Sequence, residues 1–359
     1  MRVESVSRIT IVGLLVLCSI ACSSSGSTSA ADGGVQMSDT VSPNDGGSDT
    51  ASPKDSSNSD LVSADTLGGM DTSAPNDATS GVDTAPPDST ALCARWKSDY
   101  PTTTAPNFQS AGGCDPGSIS QGSIDDAIRR INLYRWLVDL PPLVEDPSLS
   151  ALTQACAVLQ ANNDGPSNTV NPHSPPANWT CYTEDGKSGS GASNISWGVS
   201  HPADTISQYI ADQGTASLGH RLWIISPGLN KTGIGLATGS GKWGVASCLY
   251  TFAGTGTTKV DFVAFPAPGL FPIQAMKPPG YNVATWSFTS SVYSVSALTS
   301  VTLVRASDGD TQSVSARKIS GYGHPAGIAF NPRTPNAGET YTVKLGTIYS
   351  YEVTFVDCK

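Results

Sequence analysis

Gly219-His220-Arg221-Leu222-Trp223-Ile224-Ile225-Ser226-Pro227, followed four residues later by Thr232-Gly233-Ile234-Gly235, is the stretch on which the fold turns. A histidine and an arginine stand at the head of an apolar run that a proline stops. Beyond it come two strand-like stretches, 232–238 and 243–252, joined by Gly239-Ser240-Gly241-Lys242 as a hairpin turn. Upstream the spacing changes from two to three and four. Ser123 can cap a helix that carries Ile124, Ala127, Ile128, Ile131 and Leu137 on one face, ended by Pro141-Pro142. Asp146-Pro147 starts a second helix with Leu149, Leu152, Ala155, Cys156 and Leu159 on one stripe. A polar loop spans 164–193, a short strand follows at 194–199, and Pro202 opens a third helix.

From about residue 255 the helical spacing disappears. Short β-rich runs at 259–265, 281–288, 300–305, 312–317, 327–330, 340–345 and 349–356 are separated by turns such as Pro278-Pro279-Gly280 and Asp308-Gly309-Asp310. This pattern predicts an antiparallel β-sandwich of the immunoglobulin or fibronectin kind over 255–359.

The opposite end of the chain is built differently. Arg2 and Arg8 precede an apolar run from Ile9 to Ile20, then Ala21-Cys22 and a serine-rich stretch. The run is short for a bilayer span and has the form of an export signal over 1–22, with Cys22 at the position of a lipid-bearing cysteine. Residues 23–92 hold eleven Asp, one Lys and no aromatic residue, in a degenerate Asp-Thr-x-x-Pro repeat. Such a segment cannot bury enough apolar surface to offset the entropy of ordering, so it reads as a disordered tether. That stretch accounts for the whole formal charge of −10. The remainder is almost neutral, which leaves no basic footprint for nucleic acid. Expected localisation is extracytoplasmic, anchored to a bacterial envelope membrane (the outer one) by a palmitate-type lipid.

Setting aside Cys18 and Cys22, six cysteines remain: Cys93, Cys114, Cys156, Cys181, Cys248 and Cys358. In an oxidising compartment they form three disulfides. Pairing neighbours along the chain gives Cys93–Cys114, Cys156–Cys181 and Cys248–Cys358. Cys156 on a buried stripe and Cys248 within a strand are bridging positions rather than catalytic thiols.

Three segments in order carry a resemblance. They are Ile131-Asn132-Leu133-Tyr134-Arg135 with Pro141-Pro142-Leu143, an isolated His173, and the His220-Arg221 segment with its Gly-Ile-Gly strand. Together they resemble the bacterial branch of the CAP superfamily, which also holds cysteine-rich secretory proteins, antigen 5 and plant pathogenesis-related proteins. The resemblance covers 118–254 and implies an α-β-α sandwich, here with an N-terminal extension from 93, giving an α+β chain overall. It further implies a cleft bearing paired histidines and acidic residues, in some members binding zinc. His173 and His220 match the histidines. Ser193 stands where an acidic residue usually precedes Asn-Ile, and Asp212, ahead of Gln208, is the candidate for the second acidic place.

No nucleophile elbow and no H-E-x-x-H motif is present, and Gly239-x-Gly241-x-x-Gly244 lies in a hairpin with no helix behind it to hold a pyrophosphate. No catalytic residue is assigned. The first expectation is therefore a membrane-tethered, non-enzymatic module binding a lipid, a cell-wall component or a protein. Alternatives are a zinc-assisted hydrolase or peptidase using His173, His220 and Asp212, and an adhesion lipoprotein that presents the β-sandwich. His201, beside Pro202, reads as a helix-start residue, and His324 as a loop residue.

Overall fold

The computed structural model describes residues 88–165, 170–253 and 258–359. The export signal, Cys22 and the repeat-bearing tether lie outside the described residues. The first described element is helix α1, Ser89–Asp99, which opens slightly earlier than Cys93; the Asp88 carboxylate caps the Ala91 amide, and Leu92 and Trp96 are buried.

Helix α2 spans Gln121–Trp136; its N-cap is Ser120, and Ser123 is buried inside its first turn. The two-residue strand β1, Val144–Glu145, precedes helix α3, Pro147–Ala161, which Asp146 caps with proline at its first turn, as its sequence requires. Helix α4, Glu184–Gly191, strand β2, Ser193–Trp197, and helix α5, Pro202–Ala211, follow. Next come helix α6, Gly219–Ile224, and strands β3, Lys231–Thr232, β4, Ile234–Thr238, and β5, Val245–Tyr250. β1 pairs with β3, while β2-β5-β4 form an antiparallel sheet.

That sheet is covered on both faces. On one side Cys156, Ala157, Val158 and Ala161 of α3 pack on Ile195, Ala237, Ala246 and Cys248. On the other, Ile131, Ile206, Tyr209 and Ile210 of α2 and α5 share a core with Ile234, Leu236 and Leu249. The glycines of the Thr-Gly-Ile-Gly segment explain the tightness of the first layer. A Cβ on Gly233 would lie 2.2 Å from the Leu149 carbonyl carbon, and one on Gly235 would lie 2.5 Å from the Gln154 amide nitrogen. Only a residue without a side chain lets α3 lie that close to the strand.

A buried arginine and a half-buried asparagine from the same motif segment fasten the layers. Arg135 on α2 donates to the carbonyls of Ile224, Ser226 and Leu229 at 2.8–2.9 Å, so it closes the end of α6. Asn132 exchanges two 2.9 Å bonds with the Leu143 backbone and pins the Pro-Pro-Leu segment to α2.

Beyond residue 258 the chain forms β6, Phe262–Phe265, β7, Gly269–Pro272, helix α7, Ile273–Met276, and β8, Trp286–Ser290. It continues with β9, Val301–Arg305, β10, Thr311–Val314, β11, Ala316–Gly321, and β12, His324–Phe330. Strands β13, Thr340–Leu345, and β14, Tyr349–Val356, complete it. Two sheets result, β10-β9-β13-β14-β7 and β11-β12-β8-β6, with β7 and β14 the parallel pair. They meet face to face through Trp286 against Phe355 and Phe265 against Phe271. The chain is thus α+β, an α-β-α sandwich followed by a β-sandwich. Buried apolar residues run without a break from Leu92 through Ile224 to Phe355, so the two parts share one core.

All six cysteines are bridged, as Cys93–Cys358, Cys114–Cys181 and Cys156–Cys248. The neighbour-by-neighbour pairing is therefore corrected at every bridge. Cys156 on α3 faces Cys248 on the sheet directly beneath it, and α1 packs near β7 and the chain end, which brings Cys93 to Cys358. Proximity in a layered fold overrides proximity along the chain.

Candidate functional site

His220 is the second residue of α6, and its Nδ1 lies 2.7 Å from the Asp212 carboxylate. Asp212 ends α5 in a left-handed conformation (φ 46°), which turns its buried carboxylate back toward α6, where the other oxygen accepts the Arg221 amide at 3.2 Å. Because a carboxylate only accepts, Nδ1 of His220 carries the proton and Nε2 is left for an incoming group. Desolvation, the largest influence on this ring, disfavours its charged form, but the hydrogen bond and charge of Asp212 outweigh it and raise the pKa. Tyr209 stacks on the ring at 5.6 Å between centroids, and Asn194 of β2 donates to the His220 carbonyl at 2.9 Å.

His173 approaches from the 170–183 loop. Its Nδ1 lies 3.0 Å from the Ser190 carbonyl, an acceptor, so here too Nδ1 is the protonated nitrogen and Nε2 is open. Desolvation and the neighbouring His220 charge lower its pKa, against the Ser190 carbonyl, which raises it. The two imidazoles, 47 residues apart in sequence, are thus close enough to feel each other, and their environments push them in opposite directions.

The remaining candidates separate. Asp212 acts through His220 rather than as a free ligand. Gln208 accepts from Ser196 at 2.5 Å and takes no part in holding His220. Ser193 is buried and its hydroxyl has no partner among the described residues; strand alternation sets it with Ile195 on the α3 side, opposite Asn194. His201 is the first flanking residue of α5 but makes no side-chain cap bond. His324 is no loop residue: it sits on β12, buried, with both ring nitrogens bonded. Its Gly-Tyr-Gly-His-Pro setting reads as a turn, and the turn is only the hairpin tip next to it.

A zinc centre does not fit this donor set. A catalytic zinc takes about three protein ligands. Here two imidazole nitrogens are offered, Asp212 is already engaged by His220 and the Arg221 amide, and Ser193 supplies no carboxylate. Among the described residues no group of three or more His, Cys, Asp or Glu side chains is arranged to hold a metal.

Sequence reasoning did not single out Phe252 and Tyr322, which meet Trp223 of α6. Trp223, one turn beyond His220, meets Phe252 at 4.6 Å and Tyr322 of the β-sandwich at 5.8 Å between centroids. Only Trp223 among them carried a sequence signal, since Phe252 and Tyr322 are brought in by tertiary contacts.

A small antiparallel sheet clasped by helices on both faces, with one histidine on a loop and one on a short helix, each held through its Nδ1, defines a CAP-type α-β-α sandwich. Residues 128–250 match the model of the cysteine-rich secretory protein family, CAP, and the chain carries a CAP domain over that stretch. No curated protein is detectably similar to the chain. The disulfides and the CAP domain make the folded part extracellular in kind. Among the described residues no helix is long and apolar enough to cross a membrane.

Proposed function

We propose that this chain is a membrane-tethered, non-enzymatic binding module whose CAP cleft captures a component of its surroundings through the Nε2 atoms of His173 and His220. The observation that carries the reading is the anchoring of both Nδ1 atoms, on Ser190 and on Asp212. It fixes both tautomers and leaves each Nε2 without a bond of its own to either anchor, which supports a shared binding role for the two rings. Desolvation lowers the pKa of His173, and on His220 the hydrogen bond and charge of Asp212 raise it against desolvation, so the pair combines two unlike imidazoles. A ligand carrying hydroxyl or amide groups suits that combination. The tether and the lipid on Cys22 belong to the same proposal and rest on the sequence alone.

Histidine-selective NMR of the secreted-form protein tests the cleft. A panel of saccharides, fatty acids, sterols and muropeptides is titrated, and at least one organic member is expected to shift both imidazole signals. Failure of the whole panel to move either signal overturns the reading. Lipid labelling that persists in Cys22→Ser overturns the anchor.

A further inference from the structure

Among the described residues five large apolar side chains stand exposed, and three of them share two adjoining loops at one end of the β-sandwich. Leu298 is 94 % exposed and Val292 59 %, both in the 291–300 loop between β8 and β9. Ile348 is 38 % exposed in the turn between β13 and β14. The loops touch. The Gly346 amide donates to the Ser300 carbonyl at 2.8 Å, and the half-buried rings of Tyr293 and Tyr349 lie 4.5 Å apart between centroids. Neither 291–300 nor 346–348 contains a charged residue.

An apolar tip of this kind suits either another protein or a bilayer, and its backbone separates the two. The amides of Val292 and Tyr293 donate to Ser290 Oγ at 3.0 and 2.7 Å. That of Ser296 donates to Thr299 Oγ1 at 2.9 Å, and that of Leu298 to Ser296 Oγ at 3.2 Å. The Ile348 amide donates to the Leu345 carbonyl at 3.0 Å. Each exposed apolar residue therefore has its own amide satisfied from within the tip. A protein partner can supply hydrogen bonds across an interface. Hydrocarbon supplies none, so amides that enter it must be paired beforehand.

We infer that these two loops dip into the surface of a phospholipid bilayer, with Val292, Leu298 and Ile348 among the acyl chains and Tyr293 and Tyr349 at headgroup depth, where tyrosine is favoured. The inference goes beyond the cleft and rests on the tethering half of the reading above, which puts a bilayer within reach. The place where the tether enters agrees with it. Helix α1, at the start of the described chain, is joined through Cys93–Cys358 to the end of β14, whereas Ile348 immediately precedes the start of that strand. The root of the tether and the apolar tips thus lie at opposite ends of a strand about 25 Å long. Residues 23–87 can span several times that distance, so the far end can turn onto the membrane that holds the anchor. Attachment keeps the bilayer at high effective concentration, and a contact of a few side chains is then enough. Lys259 and Asp261, both exposed, flank Val260, whose carbonyl accepts from Ser291 Oγ, and their charges cancel. The tip therefore recognises the apolar layer rather than a headgroup charge.

The test takes the chain from Ser23 onward, which keeps every described element and carries neither the signal nor the lipid, and measures its co-sedimentation with phosphatidylcholine vesicles. Val292→Asp and Leu298→Asp are compared with the parent; both side chains are exposed, so Tm is expected to stay unchanged. The parent should sediment with the vesicles at low and at high salt alike, and each variant should partition about tenfold less. A parent that stays in the supernatant overturns the proposal, and so do variants that bind as well as the parent. Sedimentation velocity covers the remaining occupant: a dimer that Leu298→Asp breaks, without vesicle binding, assigns the tip to a second copy of the chain and overturns the bilayer. Since the anchor is absent from the chain tested, the result is independent of lipid labelling at Cys22, and either reading can fail alone.

Discussion

Nε2 of His324 on β12 lies 2.8 Å from the carbonyl oxygen of Leu222 in α6, the helix that carries His220. The carbonyl only accepts, so Nε2 is protonated and Nδ1 accepts from the Thr289 hydroxyl, also at 2.8 Å. With Ser226 donating to the Gly323 carbonyl and Arg221 reaching the Thr285 carbonyl, the β-sandwich grips α6 from outside the CAP domain. The position of His220 is therefore set from both sides.

Acid should loosen this grip. Desolvation foremost, together with the Arg135 charge, pushes the pKa of His324 down to about 4, against the backbone of Leu222 and Ile225, which raises it. The unfolded chain takes up the proton near 6.5, the folded one only near 4, so stability falls as pH drops between those values, by roughly 3 kcal/mol at most. Thermal unfolding between pH 7 and pH 4 should show this decline. His324→Gln, which can keep a donor toward Leu222, should flatten that part of the curve while lowering stability at pH 7 by about 1–2 kcal/mol. An unchanged slope in the variant would refute the assignment.

The charge on His220 runs the other way. Its folded pKa is raised, so the stability it gains from Asp212 is complete below its unfolded pKa and is lost as pH rises through the folded value. Asp212→Asn removes the group that opposes desolvation. The His220 pKa measured by NMR should then fall below the ordinary histidine range rather than merely return to it. A value that stays raised would show that some other group holds the proton.

The Cys93–Cys358 bridge closes a span of 265 residues between α1 and the chain end. Removing it by the double change Cys93→Ser and Cys358→Ser should cost roughly 3–5 kcal/mol on a loop-entropy basis, read from denaturant unfolding under non-reducing conditions. Peptide mapping without reduction should recover Cys93–Cys358, Cys114–Cys181 and Cys156–Cys248 as linked pairs. Any recovered Cys93–Cys114 peptide would contradict the fold.

What the sequence disclosed and what it hid follow one physical line. Capping residues and apolar spacing act locally, so Asp146-Pro147, Pro202 and the hairpin at 239–242 were legible. Pairings between distant cysteines, the meeting of Trp223 with Phe252 and Tyr322 and the burial of His324 depend on which surfaces meet, and no local signal encodes that. Two elements were hidden for a local reason. Helix α6 is too short to show a periodicity. Helix α4, with the sequence Glu-Asp-Gly-Lys-Ser-Gly-Ser-Gly, has so much glycine that propensity argues for a loop.

That glycine content is explained by α3, and it supports the last prediction. A Cβ on Gly189 would lie 2.3 Å from the Leu152 carbonyl oxygen and 3.0 Å from Cys156 Cβ, whereas one on Gly191 would meet nothing nearer than the His173 carbonyl oxygen at 3.5 Å. Gly189→Ala gains about 1 kcal/mol of helix propensity but must push α4 away from α3, and overpacking of this kind costs roughly 1–3 kcal/mol. The clash is with backbone, which cannot rotate aside, so a net loss of stability is expected, while Gly191→Ala should be neutral or slightly stabilising. Because Ser190 follows Gly189 and its carbonyl anchors His173, the first change should also move the His173 NMR signals and leave the His220–Asp212 pair in place. If Gly189→Ala proved as stable as the parent with His173 undisturbed, the close packing of α4 on α3, and with it the fixed tautomer of the loop histidine, would have to be abandoned.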